Sequence, residues 1–134
     1  MIMTNVDHLG NEMLIAGYMI EGQLTEAEAK LLQKNVIKEI RMNMADLKPA
    51  VWTYPNSDGV GQTIIQPFIE SFCAIDSWTE QNHFYLIICS CKPFHWLRLI
   101  RYLHAKGFHV LAADSMRLFR HHPNRKRWWQ FWRT

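Results

Sequence analysis

An α+β fold is expected for this chain: a two-layer α/β sandwich in which an antiparallel sheet carries two helices on one face. Short apolar or alternating runs separated by turn residues give the strands, and two segments with helical spacing give the helices. A length of 134 residues, 49% of them hydrophobic, suffices for one core and little more.

Residues 12–20 are a short, nearly continuous apolar run ended by Gly22, which reads as a buried strand. Thr25-Glu26-Ala27-Glu28 is a capping box, and Leu32, Val36, Ile40 and Met44 recur behind it at four-residue steps, predicting a helix over about 25–44. Residues 50–54 and 63–69 read as two strands joined by a loop rich in Pro55, Asn56, Asp58, Gly59 and Gly61. Pro67 has no N–H to give a ladder and predicts an edge position or a bulge.

In 72–80, Phe72, Ala74, Asp76, Trp78 and Glu80 alternate, so an extended strand would present them on one face as the wall of a site. His83 to Cys91 is almost wholly apolar and aromatic, as a central strand would be. Pro93 then opens a second helix with Trp96, Leu99, Ile100 and Leu103 inward and Gly107 at its end. Residues 110–112 form a last strand that 116–119 can extend.

A domain over 1–120 and a basic aromatic tail over 121–134 are expected, the tail supplying most of the net charge of +3. His121 to Arg133 crowds cations and indoles together. Such a segment suits nucleic acid or an anionic membrane surface, or else the protein's own surface or that of a dimer partner, against which its aromatics would be buried. No charged leader with a long apolar run is present, and three cysteines do not make a disulfide framework, so a cytoplasmic protein with reduced thiols is expected. Cys89-x-Cys91 with His83 or Cys73 lacks the second ligand pair that a zinc knuckle needs, and no metal is expected.

The chemistry-bearing residues concentrate between 63 and 91. A Glu70-Ser71 peptide is preceded by Thr63 eight positions upstream and followed by Asp76, by Trp78-Thr79-Glu80, and by Cys91 twenty positions after the serine. Taken singly, a strand Ser or Cys is ordinarily a small core residue, and Glu80 could equally be a surface charge. Their joint order and spacing resemble the self-processing segment of the pyruvoyl-dependent S-adenosylmethionine decarboxylases, in the short bacterial or phage-type form. The resemblance spans roughly residues 8–112, beginning at His8-Leu9-Gly10, and is specific over 63–91.

The resemblance implies the fold already derived and a chain that cuts itself at Glu70-Ser71. Ser71 would become the pyruvoyl cofactor, the electron sink for decarboxylating S-adenosylmethionine in polyamine biosynthesis, or an amino acid in its place. Thr63 stands where the family has a second hydroxyl that stabilises the oxyanion. Cys91 stands where it has the thiol that reprotonates the substrate carbon. Glu80 would accept from the ribose hydroxyls beside Trp78, and Trp52 and Tyr54 are the aromatics for stacking on adenine. A homodimer is implied as well, each site drawing the serine and thiol from one chain and Thr63, Asp76 and Glu80 from its partner.

Thr63 for the family's usual serine keeps the hydroxyl and adds a methyl, and three further positions depart from the family pattern. Asp76 replaces the histidine that removes the α-proton, Phe72 replaces the histidine after the serine, and Thr79 replaces a proline. A chain that never cleaves, and that binds a nucleoside ligand or regulates an active paralogue, is therefore the alternative expectation. Asp76 is the residue that divides the two.

Overall fold

The computed structural model describes residues 12–56 and 59–119. Six strands form one antiparallel sheet: β1 (Glu12–Glu21), β2 (Ala50–Asn56), β3 (Gly59–Phe68), β4 (Ser71–Trp78), β5 (His83–Ser90) and β6 (Val110–Phe119). Their order across the sheet is β2-β3-β4-β5-β1-β6, so β1 lies between β5 and β6 and its apolar run is flanked on both sides. Two helices, α1 (Glu26–Glu39) and α2 (Trp96–Ala105), pack on one face of this sheet. The α+β sandwich expected from the sequence is the observed fold.

Alternation along the strands divides every strand between a covered and an open face. Leu14, Ala16, Tyr18 and Ile20 of β1, Phe84, Leu86 and Ile88 of β5, Cys73 and Ile75 of β4, and Ile64 and Phe68 of β3 meet Leu32, Val36, Ile37, Leu99 and Leu103 of the helices in one buried core. The Tyr18 hydroxyl donates to the Trp96 carbonyl at 2.7 Å, tying β1 to the start of α2. Gln33, fully buried, donates to the carbonyls of Ile64 and Cys73 and so pins α1 across β3 and β4.

The opposite face has no covering layer among the described residues. Trp52, Tyr54, Phe72, Tyr85, Met116 and Leu118 are large apolar side chains left exposed on it.

Several boundaries differ from expectation for local reasons. The capping box of Thr25 and Glu28 is present, but α1 stops at Glu39 rather than running to Met44. Arg41 takes a left-handed φ of 60°, and the Met42 N–H closes on the Ile37 carbonyl, so the chain turns Met42 into the core. Met44 instead bridges to Phe68. Pro67 sits at a local edge, as expected, with no bulge: β4 lies on one side of it and no strand on the other. The β2 ladder ends at Ile65, so the missing N–H at 67 interrupts no bond to that strand.

Helix α2 starts at Trp96, three residues after Pro93, and Gly107 with a φ of 89° ends it. The last strand is continuous from 110 to 119, through polar Asp114 and Ser115, because β1 pairs with it along its length. No helix among the described residues is long and apolar enough to cross a membrane. The segment 121–134, its boundary with the domain and His8-Leu9-Gly10 lie outside the described residues.

Candidate active site

β3 and β4 form a hairpin whose two ends hold the residues singled out in the sequence. At one end Phe68 pairs with Ser71, leaving Ile69 and Glu70 as a two-residue turn. The turn is fastened from outside. Asn43 accepts the Ile69 N–H through its carbonyl at 2.8 Å, while its own N–H and side-chain amide donate to the Glu70 carboxylate, the amide at 2.7 Å.

Glu70 is buried, its charge met by these donors, and its main-chain carbonyl accepts the Cys91 N–H at 2.9 Å. Ser71 lies opposite Ser90, which places Cys91 beside the Glu70-Ser71 peptide. Neither the Ser71 hydroxyl nor the Cys91 thiol bonds to a described residue, and both positions are half-buried. By alternation Ser71 belongs with Cys73 and Ile75 on the covered face, whereas Cys91, one residue past β5, continues the open-face row of Tyr85, Ile87 and Cys89. The backbone, not a shared side-chain pocket, is what joins them.

The three thiols differ. Burial pushes the Cys73 thiol far above its ordinary range, which keeps it a neutral core group. Cys89 lies on the other face and donates to the Met13 sulfur. Among the described residues all three cysteines are free, with Cys91 the most accessible.

At the far end of the hairpin the open face gathers Trp52, Tyr54, Thr63, Asp76 and Trp78. Thr63 pairs with Asp76 across the strands and its hydroxyl donates to Oδ1 at 2.9 Å. The Tyr54 hydroxyl lies 2.7 Å from the Thr63 hydroxyl and 3.4 Å from the same carboxylate oxygen. The Tyr54 and Trp78 rings meet edge to face, centroids 5.3 Å apart. Both rings lie over Gly61, where a Cβ would come within 2.6 Å of each, so the glycine is what lets them meet.

Glu80 is not on this strand face as the alternation had suggested. It sits in the turn after β4, exposed, with its side chain against Gly59, while the Thr79 hydroxyl accepts the Val60 N–H.

Ser71 and Asp76 are five residues apart on one strand, about 16 Å at the rise of an extended chain. A single copy therefore holds Glu70, Ser71 and Cys91 at one end and Trp52, Tyr54, Thr63, Asp76, Trp78 and Glu80 towards the other.

Asn43 and Gly61 were not found from sequence. Asn43 is 27 residues from Glu70 in an unpatterned loop, and Gly61 reads as a turn residue until strand register sets it beneath two rings.

No protein-family model matches the chain, and no curated protein matches it. Among solved structures, the crystal structure of the adenosylmethionine decarboxylase from Aquifex aeolicus VF5 aligns with a TM-score of 0.55 at 14% identity, over 87% of this chain and 95% of that one. The likeness is one of fold.

Proposed function

We propose that the chain is a pyruvoyl-dependent decarboxylase that cuts itself between Glu70 and Ser71 and acts on S-adenosylmethionine. The observation that carries this reading is the scissile carbonyl: Glu70 ends a two-residue turn, accepts the Cys91 N–H, and adjoins a serine hydroxyl with no other described partner. A donor on that oxygen stabilises the charge that builds when the hydroxyl attacks. The fold likeness to an adenosylmethionine decarboxylase supports the same reading.

In the processing step the Ser71 oxygen attacks the Glu70 carbonyl carbon and takes the acyl group from its own nitrogen. Removal of the Ser71 α-proton then splits the ester. Glu70 becomes a carboxyl terminus, and residue 71, after losing ammonia to water, becomes the pyruvoyl group. That group supplies the electron sink for loss of carbon dioxide from a bound amine.

Scission would free residue 71 from the turn, and the Cys91 thiol, on the open face beside it, would return the proton to the substrate carbon. Trp52, Tyr54 and Trp78 form an aromatic wall for a purine, with Glu80 at its rim for ribose hydroxyls. On this reading a second copy, its sheet face against this one, completes each site across the roughly 16 Å that separates Ser71 from Asp76 along one strand.

A second reading has its own observation. Asp76 accepts from Thr63 and lies within reach of Tyr54, so its carboxylate is engaged as an anchor where processing needs a proton acceptor. On this reading the chain stays whole and the aromatic wall binds a nucleoside. Intact-mass measurement under denaturing conditions separates the two. Self-processing yields fragments of 70 and 64 residues, absent in Ser71→Ala, whereas a lone 15.9 kDa species leaves the second reading. Asp76→His tests whether the missing base is what arrests an uncleaved chain.

A further inference from the structure

Cations are sorted to one side of the helix layer. A groove of about 680 Å³ runs between the C-terminal end of α1 and the start of α2, walled by Lys38, Arg41, Lys92, Arg98 and Lys106. A second groove of about 450 Å³ adjoins it, sharing Phe94, His95 and Arg98 and adding Arg101 and Arg117. Glu39 is the one acidic residue on either wall among the described residues, although Arg117 shares its charge with Glu12 at 3.4 Å. Away from the grooves the described residues hold only Lys30, Lys34 and Lys48 as further cations, and Lys30 is spent on Glu26.

So dense a one-signed surface raises the free energy of the folded chain by self-repulsion, which an anionic ligand relieves. The cations do not converge on one point. The two grooves meet at Arg98 of α2, so the cations of one continue into those of the other. Aromatic rings stand among them: Tyr102 with the Lys106 ammonium 5.7 Å from its ring centre, Trp96 half-buried, and His95 exposed.

We infer that these two grooves together bind single-stranded nucleic acid, phosphates on the cations and bases against Tyr102, His95 and Trp96. The chain's own continuation is no substitute occupant. Beyond Phe119 the sequence carries Arg120, Arg125, Lys126, Arg127 and Arg133 with three tryptophans, a like sign that cationic grooves repel. The grooves lie on the helix layer, opposite the open sheet face, so they stay accessible whether or not that face is covered.

The test is fluorescence anisotropy of a labelled 20-nucleotide oligothymidylate titrated with the full-length chain. Binding is expected to weaken steeply between about 50 and 200 mM salt. Lys92→Glu with Arg98→Glu should lower affinity at least about tenfold and make the salt slope shallower by about two. Lys34→Glu with Lys48→Glu, the same charge change elsewhere, should leave affinity within about twofold.

The milder Lys92→Gln with Arg98→Gln, checked by thermal melting, serves if the reversal impairs folding. The groove effect should persist in a full-length chain carrying Arg125→Gln, Lys126→Gln and Arg127→Gln. Absence of binding, equal loss in both pairs of charge variants, or a loss caused by the tail changes alone would overturn the inference. So would tighter binding of a duplex of the same length, or of phosphatidylserine vesicles in its place.

Discussion

Asn43 carries more of the hairpin than its place in a loop suggests, since it takes the Ile69 N–H and gives two donors to the buried Glu70 carboxylate. Asn43→Ala removes the 2.7 Å side-chain bond and leaves a buried charge short of a donor, so it should cost about 1–3 kcal/mol in urea unfolding. On the processing reading it should also slow scission, because the turn that presents the Glu70 carbonyl loosens. Tyr18 offers a second test at this scale. Its hydroxyl is held above its ordinary range first by burial and then by the nearby Cys73.

A raised folded value means stability that is present below the unfolded value and lost as pH rises through it, and Cys73 has the same sign. Thermal stability should therefore fall from about pH 9 upward, where unfolded thiols and then phenols ionise. Tyr18→Phe should lower stability by about 1 kcal/mol at pH 7, through the lost bond to Trp96, yet flatten the loss at alkaline pH.

Elements are set by where the backbone can turn and what can lie across it. Gly61 admits the Tyr54 and Trp78 rings, so Gly61→Ala should force them apart and destabilise the chain by about 1–3 kcal/mol, with altered tryptophan fluorescence. The end of α1 depends on Arg41 in the left-handed region, a conformation that suits glycine. Arg41→Gly should accordingly raise the melting temperature slightly, by the equivalent of up to about 1 kcal/mol. The capping box, both helix cores and the central strands were legible because each is written in local spacing. The early stop of α1 was not, because Met42 leaves the helix for a core made by residues distant in sequence.

The described residues present two unlike faces: helices bearing a cationic band, and a sheet face with exposed Tyr85, Phe72, Met116 and Leu118. An uncovered apolar face of this kind is what a second copy would bury on the proposed reading. Sedimentation equilibrium should give a dimer, and Tyr85→Lys with Met116→Lys should give a folded monomer. If each site is shared between copies, that monomer should also fail to process at Glu70-Ser71.

What the sequence alone determined was the set of elements and the fold class, and it marked out the run of residues from Thr63 to Cys91, because strand alternation, helical spacing and motif order are all properties of neighbours along the chain. Tertiary structure decided which of those residues meet. Cross-strand register joins Thr63 to Asp76 and Tyr54, sets Cys91 against the Glu70 carbonyl, and holds Ser71 a strand's length from Asp76. Register belongs to pairs of strands and not to either one, so a single segment read by itself cannot contain it.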